Sequence, residues 1–588
     1  MKQWRGFYLL LARYRFKATV AFLAILMTSL LGLVLPWALK VVIDEIIAGR
    51  DRTLLNLVCA GLFVTFLLKF LLGYVREYLL TFIGEHVIAD LRYKVYVHLQ
   101  RLSVTYFENT PAGRVISGII GDIDRIRVFL FGGLVDFVYS ALDVVFVAVI
   151  LCLLDIRLAA LSFVYIPICA LSYLKLSPRL QARHARVREE YAQLTGRLNE
   201  VFSGIRIVAG FAKERDEAES FLSKQRKIIS ASLESHRLGI LLWTGAEFLT
   251  SLGLLAVLWL GALAVFRGSL TAGELVAFYT YLGMLFFPVV KMSVINPVYQ
   301  EASASLSRID AVLREEPLVE TGLTPPAPDK LAGDITFEHV SFAYHKGKPV
   351  LTDIDFHAEP GECTAIVGKS GAGKSTLISL ILRFRDPMSG RVLVDGHDLR
   401  DLDLHAYRSR VALVLQDDYL FSGSVRENIL YASSGVSQQQ MREAARSARA
   451  HEFISGLPEG YDTMIGERGV KLSLGQRQRI SIARAILRDP EVLILDEATS
   501  SVDSETERSI IEEAYSDLVR GRTTFIIAHR FATVVHADRI LFLEEGRIVE
   551  QGRHEELLKR RGRYYQLWSK QVSLPLRSSN KDGAYALV

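Results

Sequence analysis

Apolar positions follow two different rhythms along this chain. Up to about residue 300 they come in long blocks with few charges; after about residue 330 they come as short runs cut by turns. A bilayer-spanning helix needs about 20 mostly apolar residues. Six blocks meet or approach that length. Residues 18–39 hold 22 positions without a charge, 158–174 hold 17, 248–266 hold 19 and 275–290 hold 16, the last ending before Lys291. Residues 53–68 are uncharged and continue through Lys69 to 75, and 128–154 is broken only by Asp136 and Asp143. Pro36, Pro167 and Pro288 lie inside these blocks. Membrane helices tolerate proline because neighbouring groups satisfy the freed carbonyl.

The connections alternate in length. Short links fall near 44–52, 155–157 and 267–274, and long ones at roughly 85–127 and 177–237. The second long link carries twelve Lys/Arg from Arg179 to Arg237. Positive residues collect on the cytoplasmic side of membrane proteins. The pattern therefore predicts six spans with both ends inside, and long helices that continue into the cytoplasm. Each long link has a break, at Tyr106–Gly113 around Pro111 and at Phe202–Arg206 around Gly204. Residues 4–16 read as an interfacial helix before an uncleaved first span. Intramembrane charges are costly and mark either ion pairs or a substrate path. Here the candidates are Lys69, Arg76, Glu77, Asp136, Asp143, Glu247 and Lys291.

Composition agrees with a divided chain. Of 588 residues, 50% are hydrophobic and 23% charged, with mean hydropathy +0.25. That average excludes both a single soluble enzyme and a disordered chain. The net charge of +5 is mild; it reads as a topology marker, and no nucleic-acid partner is expected. The four cysteines, at 59, 152, 169 and 363, have no CxxC spacing, so neither a disulfide framework nor a zinc site is indicated.

Residues 315–333 hold four prolines and read as a linker. From 334 onward strand signals alternate with helical ones. A buried run, Cys363-Thr-Ala-Ile-Val367, leads into Gly368, Lys369, Ser370, Gly371, Ala372, Gly373, Lys374, Ser375 and Thr376. This is GxxxxGK[ST] between a strand and a helix: backbone N–H groups wrap phosphates, Lys374 supplies charge, and the Ser375 hydroxyl reaches Mg²⁺. The run Glu491–Glu497 is a strand ending in two carboxylates, where Asp496 would hold Mg²⁺ and Glu497 would polarise the attacking water. A further strand, 523–528, ends at His529, a candidate γ-phosphate sensor.

About twenty residues before Asp496 stands Lys471, Leu472, Ser473, Leu474, Gly475, Gln476. It resembles the signature motif of ATP-binding-cassette (ABC) proteins, and the resemblance extends over nearly the whole chain. It implies a multi-domain fold: an all-α six-helix transmembrane domain (1–314), the linker, an α/β P-loop NTPase domain (334–572) and a tail (573–588). It implies coupling helices near 106–122 and 200–214. It further implies that Tyr344 stacks on adenine, Gln416 touches Mg²⁺, Asp503 lies in the dimer-interface loop, and 466–469 is an exporter-specific segment.

The cofactors so implied are ATP and Mg²⁺. One membrane domain with one cassette makes a half-transporter, because Leu472, Ser473, Leu474, Gly475 and Gln476 would face ATP held by a partner subunit. A homodimer is the simpler reading and a heterodimer the alternative. Leu474 stands where glycine is usual; if that position needs positive φ, leucine is strained there. The expected activity is ATP-driven export of an amphipathic compound (lipid, lipid-linked glycan or hydrophobic drug) from a bacterial inner membrane, with a peptide as the alternative cargo. A channel or regulatory protein on the same scaffold is the competing class.

Overall fold

The computed structural model describes residues 12–110, 112–315, 330–345, 347–415, 419–433, 435–466, 472–496, 505–528 and 534–573. Packing divides the chain into two units: Met1–Arg101 with Thr110–Glu315, and Leu102–Asn109 with Glu316–Val588.

The first unit is entirely helical. The apolar blocks become six passages: Arg15–Gly32 continuing through Val34–Val41, Arg52–Arg101, Ala112–Arg127 continuing into Leu134–Leu154, Ile156–Ser203, Glu214–Phe266, and Ala272–Met284 followed by Phe286–Arg314. Among the described residues four are long and apolar enough to cross a membrane: Arg15–Ile47, Arg52–Arg101, Val115–Leu154 and Glu214–Phe266. The sixth passage is divided at Leu285, and in the fourth the side chains of 165–174 lie outside the description. Most of the interfacial helix expected at 4–16 also lies outside the described residues.

The short links are built by capping. Asp155 is the single residue between two passages, and its carboxylate accepts from the N–H groups of Arg157 and Leu158 at 2.8 and 2.9 Å. An N-cap carboxylate satisfies amides that the first helical turn leaves unpaired. At the link after Phe266, Thr271 and Glu274 form a capping box. This link is tied to the end of the first passage. Thr271 Oγ1 donates to Asp44 Oδ2 at 2.5 Å, Gly273 N to Asp44 Oδ1 at 2.8 Å, and Lys40 Nζ to Glu274 Oε1 at 3.0 Å. Asp44 reaches them from a π-helical stretch, Val42–Ile47.

Several intramembrane charges meet polar partners. Lys291 lies 3.4 Å from Asp136, Arg76 lies 2.7 Å from Glu77, and Asp143 accepts from the Ser29 hydroxyl at 2.5 Å. Two of these contacts are ion pairs, and Asp143 is held by a neutral hydroxyl. Deeper toward the long links, buried Asp122 accepts from Arg308 Nε at 2.8 Å, Ser305 at 3.0 Å and Arg125 at 2.7 Å. Four donor atoms in all, with Arg308 Nη2 at 2.5 Å, satisfy a carboxylate that could not otherwise be buried.

Among the described residues the second unit holds ten strands: β1 Ile335–His345, β2 Lys348–Ala358, β3 Cys363–Gly368, β4 Ser389–Val394, β5 His397–Asp398, β6 Val411–Val414, β7 Val492–Asp496, β8 Thr523–Ile527, β9 Arg539–Glu544 and β10 Arg547–Gly552. They form a four-stranded sheet, β2-β1-β4-β5, and a six-stranded sheet, β10-β9-β3-β8-β7-β6. The pairs β9-β3-β8-β7-β6 are parallel, and β10 closes the edge antiparallel. Strands β3 and β8 are buried at every position, as a parallel strand covered on both faces must be. Between the sheets Phe337 stacks on Phe356 with centroids 4.7 Å apart, and Phe525 of β8 meets Phe356 edge-on at 6.3 Å. Such pairs contribute about 0.5–1.5 kcal/mol each beyond their burial. The helices Gln438–Ser447 and Leu474–Arg488 build a second core with β6 and β7.

Candidate functional site: the nucleotide cassette

Active sites of parallel α/β sheets lie beyond the carboxyl ends of the strands. There β3 ends at Gly368, and the chain turns through Lys369–Gly373 into the helix Lys374–Ile381. Gly373 has φ +105°, and a Cβ there would lie 2.6 Å from the Leu351 side chain. Only glycine makes this turn without strain. Lys374 is buried, and its Nζ donates to the carbonyls of Gly368 at 2.8 Å and Lys369 at 3.1 Å. The ammonium is thus held by its own loop.

Asp496 ends β7, two strands from β3, with β8 between them. Burial pushes its carboxyl up from the ordinary value, and the Lys374 charge opposes that rise. Burial likewise pushes the Lys374 ammonium down, with Asp496 opposing. Each group is the other's nearest compensation in a low-dielectric site. Ser375 is exposed at the first helical turn, and no hydrogen bond to its hydroxyl occurs among the described residues. The donor set at this position, one free hydroxyl and one carboxylate, suits a hard cation such as Mg²⁺.

Tyr344 lies near the end of β1, 44% exposed. Its hydroxyl meets the Thr376 hydroxyl at 2.9 Å, so the ring is fastened to the phosphate-loop helix. Ser370 and Gly371 are exposed on the loop, Ala372 is buried, and the Lys369 ammonium reaches Glu544 at 3.7 Å.

The signature segment is a helix start. Ser473 is the N-cap; its Oγ accepts from Gln476 N at 3.1 Å, and Gln476 Oε1 accepts from Ser473 N at 2.9 Å. Leu472 and Gly475 are buried, and Leu474 opens the helix Leu474–Arg488. Leu474 is absent from the residues with positive φ, so it sits in helical geometry and the strain expected of a leucine there does not arise. Ser473 stays exposed at the tip.

Gln416, Glu497, Asp503 and His529 lie outside the described residues, as do Glu467–Gly469; description stops at Asp496 and Ala528, each one residue short of a candidate. Sequence reasoning passed over Arg385; Glu108 lies inside the break Tyr106–Gly113 and the coupling segment 106–122 that it expected, but was not singled out. The Arg385 guanidinium lies 4.4 Å from the Tyr344 ring centroid and pairs with Glu108. No spacing or motif marks Arg385.

Two family models match the chain: the ABC transporter transmembrane region over residues 18–289, and the ABC transporter cassette over residues 351–500. The chain is 37% identical to the ATP-dependent lipid A-core flippase of Syntrophus aciditrophicus, covering 93% of this chain and 91% of that one. It is also 37% identical to the multidrug export ATP-binding/permease protein YgaD of Bacillus subtilis, covering 93% and 96%. Among solved structures, a bacterial Atm1-family ABC exporter with ATP bound superposes with a TM-score of 0.80 at 28% identity, over 98% of this chain and 100% of that one. A helical membrane domain and a phosphate-loop cassette on one chain, with relatives matched nearly end to end, place this protein in the ABC transporter family as a multi-pass, ATP-hydrolysing exporter.

Proposed function

We propose that this exporter moves an amphipathic compound, a lipid, lipid-linked glycan or hydrophobic drug, by alternating access as a homodimer. The observation that carries the assembly is the divided ATP site. The cassette presents a phosphate loop with a buried lysine, and separately a capped helix with Ser473 exposed at its start. Two copies related by a two-fold axis complete two such sites. The cargo class is supported by relatives named for a lipid A-core flippase and for multidrug export.

In this reading ATP lies between residues 368–376 of one copy and Leu472–Gln476 of the other. Lys374 and the loop amides neutralise the phosphates, Tyr344 stacks on the base, and the Ser473 helix N-terminus faces the γ-phosphate. Ser375, Gln416 and Asp496 would hold Mg²⁺, which when bound would neutralise phosphate charge. Glu497 orients and polarises the attacking water, and His529 contacts the γ-phosphate. ATP drives the cycle only through its tighter binding to the closed dimer. Segments 106–122 and 200–214 carry that closure to the membrane helices; the second includes Phe202, Ile207 and Phe211, all strongly exposed. The N-terminus and cassette lie in the cytoplasm of a bacterial inner-membrane protein.

The test is Glu497→Gln in proteoliposomes. Turnover should fall by about 10²-fold or more while ATP binding persists. Retained hydrolysis would remove Glu497 from its role. Cargo flux that survives in this variant with ATP bound would indicate an ATP-gated channel in place of a pump.

A further inference from the structure

We propose that Arg385 is a positioning residue that ties the base-stacking ring Tyr344 to the segment Val104–Asn109 through Glu108. The proposal rests on the reading of Tyr344 as the ring that stacks on adenine. All the groups involved belong to the second packing unit, which includes Leu102–Asn109 although the chain on either side belongs to the first.

Three contacts fix the Tyr344 ring. Its hydroxyl is bonded to Thr376, Phe342 meets it edge-on with centroids 5.2 Å apart at 88°, and the Arg385 guanidinium lies over it at 4.4 Å. A guanidinium over an aromatic face is attracted by the ring quadrupole, and more strongly when desolvated. The Arg385 side chain is only 12% exposed, whereas Tyr344 remains 44% exposed. One side of the ring is therefore backed by the cation and the rest is open to a base. The same guanidinium uses an edge N–H, Nη2, to donate to Glu108 Oε2. Arginine can do both at once because its donors lie in the plane and its stacking surface lies across it. Lysine, a point charge, cannot.

The ion pair has little worth as a stabiliser, since Glu108 is 56% exposed and such pairs give about 0–1 kcal/mol. What it sets is direction: with Glu108 in place, the guanidinium is held over the ring. A base stacking on Tyr344 then strengthens the hold on Val104–Asn109, and docking of that segment strengthens base binding by the same factor, as linkage requires. Occupancy by the base is thus sensed at a helix whose neighbours in the chain are membrane passages.

The test is the ATP dependence of hydrolysis in the full-length transporter. Glu108→Gln and Arg385→Lys should each raise KM for ATP about fivefold, the effect of losing about 1 kcal/mol of stacking. Arg385→Lys keeps the charge and the pair with Glu108, so its effect isolates the planar stack. Tyr344→Leu should also raise KM, and adding Glu108→Gln to it should bring no further rise. Additive effects, or a loss confined to kcat, would overturn the proposal while leaving Tyr344 as the stacking ring. An unchanged KM in Tyr344→Leu alone would overturn the stacking assignment itself, and the relay with it. Rescue of the Arg385→Lys defect by a further Glu108→Asp substitution would also count against it, because it would show that distance and not stacking sets the affinity.

Discussion

Lys374 shows how one residue's surroundings set its function. Its ammonium is buried, is lowered in pKa by that burial, and is held by two carbonyls of its own loop. Burial outweighs the opposing Asp496 charge, and a buried ammonium is costly, so the site favours a ligand that brings negative charge. A second residue, His554, carries a pH consequence. Its Nδ1 lies 2.7 Å from the hydroxyl of fully buried Tyr564, and burial holds its pKa below the ordinary 6.5, with Glu555 weakly opposing. Below pH 6.5 the unfolded chain therefore takes up this proton before the folded one. Stability falls as pH drops through that window, by at most about 1.4 kcal/mol per pH unit for one group. His339 acts in the other sense: Asp353 and Asp355 raise its pKa, so its contribution is present below 6.5 and lost as pH rises through the raised value. Of these two opposed contributions, we expect removal of the first, in His554→Gln, to reduce the loss of melting temperature between pH 7.5 and 5.5 in the full-length protein. An unchanged slope in His554→Gln would remove His554 as its source.

At this scale the phosphate loop and Asp496 were legible, because glycine spacing and a carboxylate closing a buried strand are both written locally. The helical setting of Leu474 was not, since a motif gives residue types and not φ. Arg385 was hidden for another reason: its partners Tyr344 and Glu108 lie 41 and 277 residues away in sequence, and nothing periodic joins them.

Among the elements, the passages followed from the apolar blocks, since length and charge decide what a bilayer accepts. Their mutual attachments did not. Asp44 and Thr271 are 227 residues apart, yet they bond at the short-link ends of the first and sixth passages. The joint is tight. A Cβ on Gly273 would lie 2.6 Å from both the Asp44 Cγ and the Lys40 carbonyl oxygen. Overpacking of this kind costs about 1–3 kcal/mol. Gly273→Ala should accordingly lower the thermal midpoint by several degrees. Gly61→Ala is the control: it sits within the helix Arg52–Arg101 with nothing within 4 Å, and alanine is the better helix former. Equal midpoints for the two variants would show that the joint gives way freely.

The whole molecule follows the charge asymmetry of its links. Cysteines introduced at Ser269 and Ser230, in a background without the four native cysteines, test the orientation directly. Ser269 lies in the short link after the helix Glu214–Phe266, and Ser230 lies in the first third of that helix, which the proposed topology puts in the cytoplasm. In intact cells a membrane-impermeant maleimide should label Ser269→Cys and spare Ser230→Cys. The reverse pattern would invert the topology. The order of the domains was legible from composition alone; the boundary between packing units was not, because Leu102–Asn109 is continuous in sequence with membrane helices and yet packs with the cassette.

That last feature bears on how the cassette behaves once separated from its chain. A fragment beginning at Glu316 would omit eight residues of its own packing unit. Arg385, nearly enclosed in the intact protein, would lose its carboxylate partner and gain access to water. Nucleotide affinities measured on such a fragment would then describe a ring whose backing cation is free to turn away. The severed ATPase would report the chemistry of the phosphate loop faithfully and understate its grip on the base.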